Sequence, residues 1–464
     1  MISYSDKALD RAKALSEQPK RTDSPKVHIE TLGCRVNQYE SQACKEVFEA
    51  FGYECVDYTN WVDCYFINTC SVTLESDRKS RNMIRRMIGE AKMKNAAVIV
   101  CGCHVQANPD EEFDYENIYL CGNSNKAEFV KRVLEHNAPK RDVPKRSEMK
   151  CFFDTPTTSS KNTRAFIKIE DGCDNFCSYC IVPYLRGPVR SRDPESILRE
   201  ARILAEKGYT ELVLTGIETS YFGKDLEGGW DLASLAERIS LTDGIKRIRF
   251  GSLRPTLFTE DFCRRLSAID KIADHFHLSV QSGSNSVLTM MRRNYSHEDL
   301  LAVFENIKRY FPASNLSADI ICGFPGETQR DLKDSADIIS KGRFLHTHIF
   351  PYSERPGTSA AKSAFQLPVS VRKQRASELL EHADKIAREV LFSHKDQYHE
   401  VLVEKISANA CFGYTSNFIH TRFPARDGIK KGQTVRVKLG EQTLARSNSL
   451  TVKAELWDRT ENEK

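Results

Sequence analysis

From Lys26 onward, short apolar runs alternate with stretches of helical periodicity. KVHIETLG, DCYFINT and AAVIVCG read as strands, and the segments after Tyr39 and after Ser76 read as helices. Strand–helix alternation predicts a parallel sheet with crossover helices, here a Rossmann-like α/β domain over residues 26–140. A second series follows with six strand-like runs: RAFIKIE, ELVLTGIE, KRIRFGSL, HFHLSVQSG, LSADIICGFP and FLHTHIFPY. Six units fall short of the eight in a closed TIM barrel. They predict a partial (β/α)6 barrel over residues 164–394, open on one side to a large substrate. After the long helical stretch SVRKQRASELLEHADKIAREVLFSHK come HEVLVEKI, CFGYTS, NFIHTRF, QTVRVKLG and LTVKAEL. These five short strands with polar turns predict a small β-barrel over residues 395–460, of the kind that binds oligonucleotides. The fold class is α/β. Two polar stretches lie outside these units: a disordered extension at residues 1–25 and a linker at 141–163.

Composition narrows the class. The 464 residues are 40% hydrophobic and 28% charged, as in globular chains of two or three domains. A net charge of +4 confines any nucleic-acid affinity to local patches. One such patch is the helix after Cys70, where Arg78, Arg81 or Asn82, and Arg85 share a face; it is a solvated face or a phosphate-contact strip. RGPVRSR, residues 186–192, is the other, and it either guides phosphates or caps the barrel mouth. No apolar run is long enough to cross a bilayer, and the amino-terminal stretch lacks the apolar core of a secretory signal. The expected location is the cytoplasm, where fifteen cysteines serve metal or catalysis rather than disulfides.

The chemistry concentrates in DGCDNFCSYCIVPYLRG, residues 171–187, directly after the first barrel strand. Cys173, Cys177 and Cys180 stand in C-x3-C-x2-C spacing. Three thiolates in one loop can each ligate a different iron of a 4Fe–4S cubane, leaving the fourth iron open to an exogenous molecule. A zinc site or three ordinary buried thiols are the alternatives, although zinc more often takes paired C-x2-C knuckles and four ligands. A second set stands at the carboxyl ends of three amino-terminal strands: Cys34, Cys70 and Cys103. Ligand sites in open α/β sheets lie there, so the three converge at one edge unless they fill the core. Cys44, Cys55, Cys64 and Cys101 read as core residues, and Cys263 and Cys322 as packing residues.

The C-x3-C-x2-C loop resembles that of the radical S-adenosylmethionine (SAM) enzymes, in which SAM occupies the open iron. TLGCRVNQYES, NTCSVT and CGCHVQ resemble the amino-terminal domain of the methylthiotransferases, a branch of that superfamily, and the carboxyl-terminal strands resemble their TRAM domain. The resemblance implies SAM and two 4Fe–4S clusters, the second one auxiliary and held by Cys34, Cys70 and Cys103. Cys103 is preferred over Cys101 because Gly102, Cys103 and Gln106 match the family pattern. It implies SAM contacts at Tyr179, Glu218, Ser282, Arg293 and Gly323, with Gln281 and Ser284 beside them. It also implies an electron donor such as a flavodoxin or ferredoxin, and the anticodon loop of tRNA as partner. In TRAM, Phe412, Tyr414 and Phe418 with Lys430, Lys431 and Arg436 suit stacked bases and phosphates, or the aromatics are core. The wording of TLGCRVNQYES, DGCDNFCSYCIVPYLRGPVRSR and FPYSERPGTSA is closest to the branch that methylthiolates C2 of N6-threonylcarbamoyladenosine at position 37 of tRNA. The neighbouring branches act on isopentenyl-adenosine in tRNA or on an aspartate of a ribosomal protein; a non-catalytic RNA-binding protein is the distant alternative.

Overall fold

The first apolar runs form one parallel sheet. This computed structural model describes residues 24–57, 61–444 and 450–457, so the expected extension falls, but for residues 24 and 25, outside them. The strands are β1 (Lys26–Thr31), β2 (Glu54–Val56), β3 (Cys64–Thr69), β4 (Ala97–Gly102), β5 (Ile118–Cys121) and β6 (Arg141–Asp142), in the order β2-β1-β3-β4-β5-β6. Helices α1 (Arg35–Ala50), α2 (Leu74–Lys94), α3 (Cys103–Ala107) and α4 (Lys126–Leu134) connect them. Strand β3 is buried along its whole length, its apolar stretch Cys64–Ile67 running on into the buried polar Asn68 and Thr69 at its carboxyl end. Strand β6 pairs with β5, so the stretch 141–163 begins inside this sheet.

The second series builds the barrel. Its first unit holds β7 (Ala165–Lys168), a clasp of β8 (Glu170–Asp171) against β9 (Arg190–Ser191), and helices α5 (Val182–Arg186) and α6 (Pro194–Glu206). Then come β10 (Glu211–Thr215), α7 (Leu232–Ser240), β11 (Arg247–Phe250), β12 (Ser252–Leu253), α8 (Glu260–Ser267) and β13 (His275–Gln281). Next are α9 (Asn285–Met290), α10 (His297–Tyr310), β14 (Asn315–Cys322), α11 (Gln329–Gly342), β15 (His346–Pro351) and α12 (Val369–Ser393). The third strand breaks at Gly251, dividing the wall into β7-β10-β11 and β12-β13-β14-β15, all parallel. Alternation along these strands fixes their two faces. Phe276, Leu278 and Val280 on β13, with Leu316, Ala318 and Ile320 on β14, pack with helix residues such as Leu300, Phe304 and Ile338 in the main core. The opposite, concave face is therefore carried by His275, His277, Ser279, Ser317, Asp319, His346 and His348.

The last strands close into a five-stranded barrel: β16 (Tyr398–Ile406), β17 (Ala410–Thr415), β18 (His420–Pro424), β19 (Thr434–Leu444) and β20 (Leu450–Leu456), in the order β16-β17-β18-β20-β19. Its β17–β18 loop reaches the amino-terminal ends of the parallel strands. There Phe418 stacks on His275 at 4.4 Å between ring centroids, and the Asn315 side-chain amide donates to Asn417 O at 3.0 Å.

Buried charge joins the first domain to the parallel barrel. Glu40 on α1 accepts from Lys168 Nζ of β7 at 2.8 Å, from Arg186 Nη1 at 2.6 Å and from Lys126 of its own domain. Burial alone would raise its pKa, but Arg186, Lys126 and Lys168 hold the carboxyl well below the ordinary 4.5. Removing one member of such a cluster leaves uncompensated buried charge. Glu40→Gln should therefore lower unfolding free energy by about 3–5 kcal/mol in urea denaturation at neutral pH. Because the folded-state pKa is depressed, the contribution is complete above the ordinary value and is lost as pH falls through the folded one. The gap between wild type and variant should accordingly narrow below pH 4.5.

Candidate functional site

The first barrel strand delivers the C-x3-C-x2-C loop to the carboxyl end of the barrel, where the ends of β7, β10, β13 and β14 meet. Its backbone is tied on both sides. Cys173 N–H donates to Gly187 O at 3.1 Å, Ser178 N–H donates to Met291 O at 3.1 Å, and Ala360 N–H donates to Ser178 O at 2.8 Å. Burial pushes the Cys173 and Cys180 thiols up to about 12, and each feels the charge of Cys177. One cation faces them: Arg293 Nη1 lies 3.4 Å from Cys177 Sγ, held by Tyr295 Oη and Ser279 O. Asn175 Nδ2 bridges Cys173 Sγ and Glu218 Oε2, at 3.2 Å from each. Three thiols gathered in one loop form a donor set that a thiophilic metal cluster stabilises.

Of the expected SAM shell, Arg293 borders this loop directly and Tyr179 lies within it, edge-on to Phe324 with ring centroids 6.5 Å apart. Glu218, at the end of β10, reaches it through Asn175; burial raises its pKa against the opposing charges of Arg254 and Arg293. Ser282 and Ser284 lie one layer back. Ser282 Oγ is 3.4 Å from Ser335 Oγ, and Ser284 Oγ donates to Asp331 Oδ1 at 2.5 Å. Gln281 takes a left-handed φ of 67°, and Gly323 has φ 68° with Arg372 packed on its Cα. A Cβ on Gly323 would sit 2.7 Å from Arg372 Cγ.

Strands β1, β3 and β4 bring Cys34, Cys70 and Cys103 together. Cys34 is an exposed residue whose thiol faces Arg186, Cys103 and Glu40. Burial, then the nearness of Cys103 and Cys34, pushes Cys70 up to about 11. Cys101, two residues before Cys103, is fully buried in the core with Cys44 and Cys64. The two cysteine sites share one wall. Cys103 packs on Ile181 and Leu185, which directly follow the first loop, and Asn123 Nδ2 donates to Leu185 O at 2.9 Å while lying 3.5 Å from Cys103 Sγ. FPYSERPGTSA braces both: Arg355 donates to Ser71 Oγ at 2.8 Å beside Cys70, and Ala360 holds Ser178 beside Cys177.

The two cationic patches fare differently. In RGPVRSR the arginines turn inward: Arg186 joins Glu40 and Asp171, Arg190 lies 3.6 Å from Asp171, and Arg192 pairs with Glu200 and Asp154. They fasten the loop and leave no cation for an RNA phosphate. On α2, Arg78 and Arg81 pair with Glu75 and Asp77 of the same helix, while Arg85 stays exposed. In the small barrel, Phe418 faces the parallel barrel and stacks on Tyr414 at 4.7 Å, with the Arg249 and Arg164 guanidinia 5.0 and 5.3 Å from its ring. Phe412 lies alongside His420, and Lys430, Lys431 and Arg436 are exposed.

Beneath the cysteine loops the concave face is polar. Asp319 accepts from His277 Nε2 and His348 Nδ1, each at 3.1 Å. Burial alone would raise its pKa, but those hydrogen bonds hold it well below the usual carboxylate range. Ser317 Oγ lies 2.9 Å from His277 Nδ1 and 2.8 Å from His275 Nε2. Arg249 Nε donates to Glu211 Oε1 at 2.8 Å. Arg35, the residue after Cys34, senses Arg164, Arg249 and Asp319; burial and the first two lower its pKa to about 10.

Comparison with known proteins fits this geometry. The radical SAM superfamily matches residues 167–339, and the family described as uncharacterized protein family UPF0004 matches residues 26–121. A threonylcarbamoyladenosine tRNA methylthiotransferase, MtaB, of Bacillus subtilis is 34% identical, covering 89% of this chain and 93% of its own. MtaB of Aquifex aeolicus is 36% identical, covering 89% and 99%. The chain belongs to the radical SAM methylthiotransferases. A tRNA-2-methylthio-N(6)-dimethylallyladenosine synthase of Moorella thermoacetica is 34% identical to this methylthiotransferase, covering 93% and 98%. A solved radical SAM methyltransferase, TsrM from Kitasatospora setae, shares the fold with a TM-score of 0.55 and 16% identity over 73% of this chain and 77% of its own. Membership implies a 4Fe–4S cluster and SAM, and the closed barrel at the carboxyl end is TRAM-like. No helix among the described residues is long and apolar enough to cross a membrane.

Sequence reasoning missed Asn175, Arg254 and the concave-face group of this methylthiotransferase. A signal for the last was present: HFHLS, LSADI and LHTH place polar residues at every second position of strands otherwise rich in apolar ones. The approach of the cysteine loops depends on Gly33, which has φ 102° and whose absent Cβ would lie 2.7 Å from Cys70 Cβ. Gly52 has φ 81° with open space around it, so it isolates the backbone cost. Gly33→Ala should destabilise the chain by about 1–3 kcal/mol and by more than Gly52→Ala, as read from urea denaturation of the two variants.

Proposed function

We propose that this methylthiotransferase acts on N6-threonylcarbamoyladenosine at position 37 of tRNA and gives its 2-methylthio derivative, in the cytoplasm, with electrons from a flavodoxin or ferredoxin. The observation that carries the substrate choice is the polar concave face beneath the cysteine loops. Its His277, Asp319 and His348 suit a substituent bearing hydroxyl, urea and carboxylate groups. An isopentenyl group offers no partner to His348 Nε2, the ring nitrogen that Asp319 does not engage, and burying a polar group unpaired is costly.

In this reading Cys173, Cys177 and Cys180 hold one 4Fe–4S cluster, and Cys34, Cys70 and Cys103 hold the other. When bound, the first cluster with SAM would supply a carbon-centred radical able to remove hydrogen from C2, the second cluster would supply the sulfur that replaces it, and a second SAM would supply the methyl group on that sulfur. The chain's own residues prepare that exchange. Arg293 sets a fixed positive charge against Cys177, and Glu218 with Arg254 orients Asn175 over Cys173. Arg293, Glu218 and Tyr179 border the space where SAM docks; Ser282 and Gly323 shape its rear. Leu185, Ile181 and Cys103 close the wall between the two sites and exclude water from it. The target base lies in a single-stranded loop, so it can be extruded into the barrel without melting a helix. The exposed Lys430, Lys431 and Arg436 are left to meet phosphates.

Nucleoside mass spectrometry of tRNA from a deletion strain tests the substrate. The methylthio group should vanish from the threonylcarbamoyl nucleoside and stay on the isopentenyl one; the reverse pattern, or unchanged tRNA, overturns the assignment. The cysteine triple variants, Cys→Ala at 34, 70 and 103 or at 173, 177 and 180, should each reduce anaerobically reconstituted iron from about eight to about four per chain. Only the second triple variant should abolish 5′-deoxyadenosine formation from SAM.

A further inference from the structure

Among the cations on the barrel's concave side, one stands without a partner. Arg249 is committed to Glu211, and Arg164 donates to Glu404 at 2.7 Å. Asp319 is engaged by two histidines. The Arg35 side chain forms no hydrogen bond or ion pair with any described residue, yet it is half-buried among the charges of Arg164, Arg249, Asp319 and Cys34. Two of those four neighbours repel it, and Asp319 is already held by its two histidines. A half-buried guanidinium whose hydrogen-bonding fork meets no acceptor is stabilised further by an anion that docks on it.

Its position says where that anion would be. Arg35 opens α1 directly after Cys34, so it stands where the Cys34 site meets the polar concave face. An anion bound to it would lie beside Cys34 and within electrostatic reach of Asp319, the centre of the His277–Asp319–His348 group. The carboxylate of Asp319 can only accept, so the ring nitrogen of His348 facing it, Nδ1, carries the hydrogen. In the neutral ring Nε2 is then a bare acceptor for a hydroxyl or urea N–H. A planar guanidinium fork matches a carboxylate through two parallel hydrogen bonds. We propose that Arg35 is the receptor for the carboxylate carried by the substituent of the target base, with His348 accepting a hydrogen bond from the polar part of the same substituent. This assignment rests on the threonylcarbamoyl reading of the substrate and deepens it: one cation beside the second cysteine site separates acidic from neutral substituents.

The same chemistry could serve a backbone phosphate, and the test separates the two sources. Binding of anticodon stem–loop RNAs to the reconstituted enzyme, without reductant so that no turnover occurs, is followed by fluorescence anisotropy. Four loops are compared: threonylcarbamoyl acid, its methyl ester, isopentenyl and unmodified. Wild type should prefer the acid to the ester by about tenfold to a hundredfold, the span of a charge-assisted hydrogen-bond pair. Arg35→Gln should reduce that ratio to about one, and Arg35→Lys, which keeps charge but loses the fork, should restore part of it. Iron content of each variant reports whether Cys34 is still in place, and the acid–ester ratio of wild type needs no variant at all. If Arg35→Gln weakens all four loops equally and lowers the salt slope by about one, Arg35 holds a phosphate and the proposal is wrong. An undiminished acid preference in Arg35→Gln overturns the Arg35 assignment alone. A wild type that binds the isopentenyl loop more tightly than the acid overturns the substrate reading as well.

Discussion

The structure depends on a carboxylate, Glu40, that belongs to one domain and is neutralised mostly by another. Its oxygens meet Lys168 and Arg186 from the parallel barrel and Lys126 from its own sheet. Buried ion clusters add little net stability compared with apolar packing of equal volume, but they are intolerant of misplacement. That intolerance is what this arrangement uses. A one-residue slip between α1 and the barrel would strand several full charges away from water. Next to it, Tyr39 donates to Glu200 Oε2 at 2.9 Å, where Arg192 also binds, and repeats the same locking principle one residue away.

The consequence for chemistry is positional. Arg186 touches Glu40 and Asn37 on α1, and its own helix carries Leu185 against Cys103. The residues that follow the first cysteine loop are thus the same ones that fix the second cysteine site. Distance between the two sites is set by five residues of α5 rather than by a flexible linker. The two-cluster reaction proposed above needs that economy, because small errors in placement cost rate steeply. The brace from Ser353 to Ala360 works on the opposite side, with Ser353 Oγ accepting from Leu74 N–H at 3.1 Å and Arg355 donating to Ser71.

Much of this was legible in the sequence because local patterns carried it. Alternation of apolar runs with helical stretches identified the parallel sheet, the six-unit barrel and the five closing strands, and cysteine spacing located the first loop. The second set of cysteines was legible only through its equivalent position after three strands. RGPVRSR was misleading, since a dense cationic run normally lies on the surface. Whether an arginine is solvated or buried depends on carboxylates such as Glu40, Asp171 and Glu200, which lie from 8 to 146 residues away in the chain. The Phe418 contact was hidden for the same reason: its partner His275 sits in another domain. Alternating histidines and serines on β13, β14 and β15 were readable in principle, but a strand face shows its meaning only when the helices on the other face are known.

The concave face then poses a physical problem that bears on function. The interior of a parallel barrel is ordinarily filled by branched apolar side chains, and here it is lined by His275, His277, Ser317, Asp319, His346 and Arg249. Burial lowers His346 to about 4 and holds His275 well below its ordinary 6.5, so these rings stay neutral and act as hydrogen-bonding surfaces rather than as charges. Phe418 closes the amino-terminal mouth over them, and Arg249 is charge-matched by Glu211. Even so, His275 Nδ1, His346 Nε2 and Arg249 Nη1 are buried with no hydrogen-bond partner among the described residues. A ligand with an apolar tail would leave such atoms unpaired, whereas one that ends in oxygen and nitrogen replaces the water it displaces. On the proposed reading, substrate choice in this fold is decided by what lines the barrel beneath the cysteine loops, while the cysteine sites decide only the reaction.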